Sequence, residues 1–147
     1  MKEYFTYPHL LVTAQFGLIG LMILFSHGIL YSQIAIVVLL AGAIFGFWAI
    51  TYNKLGNFHI RPVIKKGCSL ITTGPYRYIR HPMYTSVIVM MLGIFISTPT
   101  LPEGIMLSLL ILVLNLKARR EERLWCGHDP EYLSYKKRTK LFIPFIL

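Results

Sequence analysis

Apolar residues run along this chain in four blocks. The first extends from about Leu10 to Leu30 and is interrupted by His27; the second extends from about Ile34 to Tyr52. Each holds about 20 residues, the length of a helix that crosses the hydrocarbon core of a bilayer. The third, Met83 to Thr98, is shorter and stops at Pro99. The fourth begins near Thr100. Thr100 and Glu103 have capping-box spacing, and Pro102 falls in the first turn, where its missing N–H does no harm. No stop signal lies at Lys117, and Lys117 to Trp125 is rich in helix formers. The pattern predicts one helix from Leu101 to Trp125, about 37 Å long at 1.5 Å per residue, broken by Gly127 and Pro130. Asp129 to Lys140 is polar with Tyr132, Leu133 and Tyr135 interleaved, which predicts a short interfacial helix. Leu141 to Leu147 is apolar around Pro144 and is expected to dock back on the bundle or the headgroup region. Gly42 and Gly46 form a small-xxx-small pair, the signature of close helix packing against a neighbouring span or a second copy. The expected fold is all-α: a polytopic transmembrane helix bundle of about four spans, one domain over residues 1–147, with a cytoplasmic pocket.

Composition strengthens the membrane reading. Of 147 residues, 55% are hydrophobic and 14% charged, more apolar surface than a soluble domain of this size needs. The net charge of +9 does not point to nucleic acid, because the basic residues gather beside the apolar blocks. Lys54, Arg61, Lys65, Lys66, Arg77 and Arg80 occupy the long second connection. Lys117, Arg119, Arg120, Arg123, Lys136, Lys137, Arg138 and Lys140 follow the fourth block. The connections at 27–33 and 98–103 carry none. By the positive-inside rule the long loop, the tail and both termini are cytoplasmic, and the excess charge suits anionic lipid headgroups. No cleavable signal peptide is apparent at the N-terminus. Cys68 and Cys126 then lie where disulfides are rare, and with His59, His81 and His128 they show no zinc-ligand spacing, so no metal is expected.

Chemistry concentrates at two places. Gly74-Pro75-Tyr76-Arg77-Tyr78-Ile79-Arg80-His81-Pro82-Met83-Tyr84 sets arginines, a histidine and tyrosines directly before the third block, and Arg119-Arg120-Glu121-Glu122-Arg123 follows the fourth. Polar groups against a membrane-length segment are costly and usually functional. The topology brings both to the same side of the membrane.

The first stretch resembles the Gly-Pro-Tyr-x-x-x-Arg-His-Pro-x-Tyr segment of the isoprenylcysteine carboxyl methyltransferases and related phospholipid methyltransferases. Glu121-Glu122 matches that family's Glu-Glu pair, and Tyr132, Tyr135 and Pro144 match its Tyr-x-x-Tyr and following Pro. Leu55-Gly56-Asn57-Phe58 and Leu70 to Gly74 also look like its loop. The likeness covers about Asn53 to Pro144. The resemblance implies a membrane methyltransferase that uses S-adenosylmethionine, held by the Arg-His-Pro segment and the Glu-Glu region, with a lipophilic acceptor arriving from the bilayer. The Gly-x-Gly motif of eukaryotic phosphatidylethanolamine N-methyltransferases is absent, and the chain is shorter than most prenylcysteine enzymes. The acceptor is therefore open between a prenylcysteine-like carboxylate, a phospholipid amine and a hydrophobic thiol.

The residues themselves suit that cofactor. A sulfonium and an ammonium need an anion, which Glu121 or Glu122 supplies, with Glu122 favoured. The carboxylate needs donors, which Arg80 and His81 supply. Tyr76, Tyr78 and Tyr84 offer aromatic faces for adenine and the sulfonium. Pro82 opens the helix. Arg119, one turn before Glu122, can bind an anionic acceptor, so Arg119 and Glu122 are the candidates closest to the chemistry. An ionised acceptor needs no strong base, only alignment and exclusion of water.

Plainer readings exist for the same residues. Arg77 serves as an interfacial anchor and the tyrosines as an aromatic belt. Lys117–Glu121 is an ordinary i,i+4 pair. Arg120, Arg123, Lys136, Lys137 and Arg138 contact headgroups, and His59 and His128 sit in loops. Two rival functions remain at this level: an NADPH-dependent sterol- or enone-type membrane reductase, which shares the Arg-His-Pro-x-Tyr likeness, and a non-catalytic membrane scaffold.

Overall fold

The computed structural model describes residues 3–53 and 69–143, with side chains from residue 9 onward. Among these residues the chain is all-helical: α1 (Glu3–Phe25), α2 (Gln33–Tyr52), α3 (Pro82–Ser97), α4 (Leu101–His128) and α5 (Glu131–Arg138). Lys54, Leu55 to Phe58, His59, Arg61, Lys65, Lys66, Cys68 and Pro144, all named above, lie outside the described residues.

Two helices, α2 and α4, are long and apolar enough to cross a membrane; α1 from His9 and α3 are shorter apolar helices. Their outer faces carry exposed Leu24, Ile34, Ile44, Phe47 and Leu112. So large a set of apolar side chains facing outward suits hydrocarbon better than water. Inside, Met22, Met91, Ile94, Leu107, Leu110 and Leu114 pack as one cluster between α1, α3 and α4.

The ends of the elements follow local chemistry. Ser32 caps α2 by accepting from the Ala35 N–H at 3.3 Å. Pro82 opens α3, and the His81 carbonyl accepts from the Tyr84 and Thr85 N–H groups. The first apolar block is not helical to Leu30. α1 stops at Phe25, and a single 3₁₀ turn covers Ile29–Tyr31. There the His27 N–H donates to Thr98 Oγ1 and Ser26 Oγ meets Ser97 Oγ at 3.0 Å, which ties α1 to the end of α3.

Two boundary expectations need correction. The capping box is only half made. Thr100 Oγ1 accepts from the Glu103 N–H, but the Thr100 N–H donates to the Thr98 carbonyl at 2.8 Å across the Pro99 turn. The Glu103 carboxylate is buried without a hydrogen-bond partner among the described residues. Gly127 does not break α4. Its φ is not positive, so it continues the helix, and His128 belongs to the last turn rather than to a loop. The stop is set by Pro130, which forces Asp129 into extended geometry, φ −130° and ψ 114°.

The small-xxx-small pair faces α3. A Cβ on Gly42 would lie 2.8 Å from the Met90 backbone N, and one on Gly46 would lie 2.8 Å from Ser86 Oγ. Gly93 of α3 answers with a contact of 2.9 Å to the Ala35 carbonyl. Backbones this close gain dispersion along the whole interface. Gly42→Val should therefore force α2 from α3 and cost about 1–3 kcal/mol as overpacking does. Gly17→Val, where a Cβ meets nothing within 4 Å, should leave the thermal unfolding midpoint unchanged. Equal midpoints for the two variants in nanodiscs would refute this account of the α2–α3 interface.

Candidate functional site

The site is assembled at one end of the bundle from the residues before α3, the far end of α4, and α5 with its tail. Gly74 starts it. Its φ of +58° is in the left-handed region, and a Cβ there would sit 2.5 Å from the Tyr52 ring. Glycine alone lets the chain turn into the 3₁₀ segment Gly74–Arg77 while packed this closely against the ring at the end of α2. From there Ile79 and Arg80 run extended and pair in parallel with the tail. The Lys140 N–H donates to the Tyr78 carbonyl at 3.1 Å, the Arg80 N–H to the Lys140 carbonyl at 2.8 Å, and the His81 N–H to the Leu141 carbonyl at 3.2 Å. Thr85 Oγ1 adds a bond to the Phe142 carbonyl at 2.8 Å.

Arg80 is the buckle of this closure. Its Nε donates to Glu122 Oε1, and its Nη1 donates to the Thr139 carbonyl and, at 3.1 Å, to the Lys136 carbonyl. Lys136 Nζ lies 2.8 Å from Glu122 Oε2. Glu122 is thus 6% exposed in its side chain and faces a cation at each oxygen. Burying that carboxylate is sustainable only because both partners are present.

The second carboxylate is differently placed. Glu121 keeps 21% of its side chain exposed, accepts from the Tyr84 hydroxyl at 2.5 Å, and stands 3.4 Å from His81 Nδ1. The His81 ring stacks on Tyr84 with planes 3° apart and meets Phe142 edge-on. His81 Nε2 is buried, 3.9 Å from Glu122 Oε1, and has no hydrogen-bond partner among the described residues. A buried ring nitrogen without a partner keeps its capacity for one hydrogen bond.

The tyrosines hold neutral walls. Burial, then the charge of Glu121, pushes the Tyr76 hydroxyl up to about 12, so it stays protonated at neutral pH. Burial raises Tyr132 and Tyr135 as well. Tyr135 Oη donates to the Tyr76 carbonyl at 2.7 Å, and Tyr132 stacks on Trp125. The tyrosine face of α5 therefore packs on α4 and the Gly74–Arg77 turn, while Leu133 points outward.

Of the residues singled out from sequence, Tyr76, Arg80, His81, Pro82, Tyr84, Glu121 and Glu122 converge here. Arg119 does not join them. It is exposed and its Nε donates to Asn115 Oδ1 at 2.7 Å, one turn back along α4. Arg80 takes the place beside Glu122 that the helical spacing gave to Arg119. Lys136, read as a headgroup contact, turns inward to Glu122 instead. Thr139 and Lys136 were not foreseen at the site, because a distant tail carries no local signal. Lys117, which helical spacing pairs with Glu121 at i,i+4, is 1% exposed. Its Nζ lies 2.5 Å from Gln15 Oε1. A lone amide in the apolar first block was the clue, since such a group demands a partner.

A family model described as phospholipid methyltransferase matches residues 19–126. The cobalt-zinc-cadmium resistance protein CzcN of Cupriavidus metallidurans is 33% identical over 81 residues, 54% of this chain and 38% of its own length. The nickel-cobalt-cadmium resistance protein NccN of Alcaligenes xylosoxydans xylosoxydans matches to the same extent. The matched part thus spans about two fifths of those relatives. No solved structure matches. Among the described residues of this chain, no group of three or more His, Cys, Asp or Glu side chains is arranged to hold a metal ion.

Proposed function

On the premise that this chain belongs to the phospholipid methyltransferase family, we propose that it is an integral membrane methyltransferase that uses S-adenosylmethionine to methylate a lipophilic acceptor. The observation that carries the reading is the buried, open Nε2 of His81 beside the partly exposed carboxylate of Glu121. That pairing fits a ligand with both an electron-rich and a cationic group. His81 donates from Nε2 to a carboxylate. Glu121, with one oxygen fixed by the Tyr84 hydroxyl and the other 3.4 Å from His81 Nδ1, keeps 21% of its side chain exposed and offers its charge to the positive groups. The Tyr76 ring adds an aromatic face to which a cation is attracted. Arg80 is committed to Glu122 and the tail, so its part is to hold the segment that shapes the site rather than to bind the carboxylate alone.

When bound, S-adenosylmethionine supplies an electrophilic methyl group. The chain's contribution is to align donor and acceptor and to keep water out. Phe142, buried at 7% exposure against the His81 ring, and the strand-like pairing of the tail close that end of the bundle. In this reading α1 to α4 are four spans and the site end faces the cytoplasm with both termini. The basic residues of α5 meet anionic headgroups, and the membrane is a prokaryotic cytoplasmic one.

Calorimetry on the protein in lipid nanodiscs tests the cofactor. Saturable binding of S-adenosylmethionine or S-adenosylhomocysteine, with no binding of NADPH, is expected. NADPH binding alone would move the assignment to a reductase, and binding of neither would leave a scaffold.

A further inference from the structure

One charged group near the site is not used by this reading. Lys117 lies one turn before Glu121 on α4 and is 1% exposed, less than the core residue Leu107 at 8%. A lysine near the end of an apolar helix ordinarily extends its stem and puts its ammonium into water. This one turns inward. Its Nζ is 2.5 Å from Oε1 of Gln15, itself buried on α1, and 5.2 Å from the centroid of the Tyr84 ring on α3. Three helices converge on one ammonium. The same Tyr84 ring carries the hydroxyl bonded to Glu121 and stacks on His81. Lys117 is thus separated from the proposed methyl-transfer site by a single ring.

The charge balance of the cluster then has a sign. Among the described residues with contacts given above, Arg80, Lys136 and Lys117 are three cations and Glu121 and Glu122 two carboxylates; 3 − 2 leaves one positive charge. A sulfonium donor adds a further net positive charge. An acceptor arriving as an ammonium would add another in surroundings with little water to screen it. An acceptor arriving as an anion would relieve the excess.

We propose that Lys117 is a positioning residue that selects an anionic lipophilic acceptor, a carboxylate or a thiolate, over an aminophospholipid. It acts through the Tyr84 ring and through its field. At an effective dielectric of about 20, a unit charge about 8 Å away changes affinity by more than tenfold. With the acceptor bound as its anion, a thiol having released its proton to solvent on binding, the reaction balances without a base. The acceptor's lone pair forms the new bond to the methyl carbon, the sulfur–methyl bond breaks, its electron pair stays on sulfur, and opposite charges cancel with no proton moved.

This inference rests on the methyl-transfer reading but is tested separately from it. The first arm needs no donor: binding of N-acetyl-S-farnesylcysteine and of its methyl ester is compared in nanodiscs. The wild type should bind the carboxylate at least tenfold more tightly. Lys117→Met should abolish that ratio and Lys117→Arg should keep it, with S-adenosylhomocysteine binding within twofold in all three. The second arm offers labelled S-adenosylmethionine with N-acetyl-S-farnesylcysteine, dodecanethiol or dioleoylphosphatidylethanolamine. Methylation of the carboxylate or the thiol is expected, and which one reacts tells carboxylate from thiolate. Equal binding of acid and ester by the wild type overturns the inference even if no variant folds. So does a ratio that survives in Lys117→Met, or methylation of phosphatidylethanolamine in preference to the others. Failure to bind S-adenosylhomocysteine would instead sink the methyl-transfer reading while the acid–ester comparison still reports on Lys117.

Discussion

Arg80→Gln should unfasten the tail and cost about 3–5 kcal/mol, the range for removing one partner from a buried ion pair. The loss is large because the guanidinium serves two tasks at once. It neutralises one oxygen of the buried Glu122, and it donates to the carbonyls of Thr139 and Lys136. Glutamine removes the charge, and Lys136 alone then faces a carboxylate that is 6% exposed. Hydrogen exchange at the Lys140, Arg80 and His81 amides should accelerate, since these carry the pairing between the two segments. Arg80→Lys should recover part of the stability but not the amide protection, because an ammonium lacks the planar fork that reaches acid and carbonyl together. Unchanged protection in Arg80→Gln would show that the tail is held by other contacts.

Glu121→Gln should leave the fold intact and weaken S-adenosylmethionine binding about 10- to 100-fold, the range of one lost charge-assisted hydrogen bond. The amide has the same shape and can still accept from the Tyr84 hydroxyl, so the local structure has no reason to collapse. What disappears is the negative charge that, on the proposed reading, faces the sulfonium and ammonium. Glu122→Gln makes the contrast, since its first effect should be a lower thermal midpoint, with affinity falling only as a consequence. Calorimetry and thermal unfolding on both variants separate the two roles. Equal loss of stability in the two would mean that both carboxylates are structural.

Much of the site was legible because its parts are short in sequence. The Gly74 to Tyr84 stretch carries its own turn chemistry, with glycine where the backbone must be left-handed and proline where the helix starts. Glu121 and Glu122 lie on a helix whose length follows from the unbroken run after Leu101. The role of each residue was less legible. Helical spacing put Arg119 beside Glu122 but could not show that Asn115 would hold it outward. Nor could it show that Arg80, 42 residues away, would fill that place. The two carboxylates also differ in enclosure, which adjacent positions on one helix do not reveal. Glu122 is enclosed by Arg80 and Lys136, while Glu121 keeps an open side.

The sequence by itself determined the helices, their apolar faces, the glycine contacts that allow two of them to touch, and the gathering of polar residues at one end. These are consequences of periodicity and of backbone freedom, which act within a few residues. Only the tertiary structure decided which charges pair. The tail folding over Arg80, the inward turn of Lys117 to Gln15 and the stacking of His81 on Tyr84 each join segments from different helices. In a low-dielectric interior the energy of a charge depends on which partner lies within a few ångströms, and that distance is set by packing, not by position along the chain.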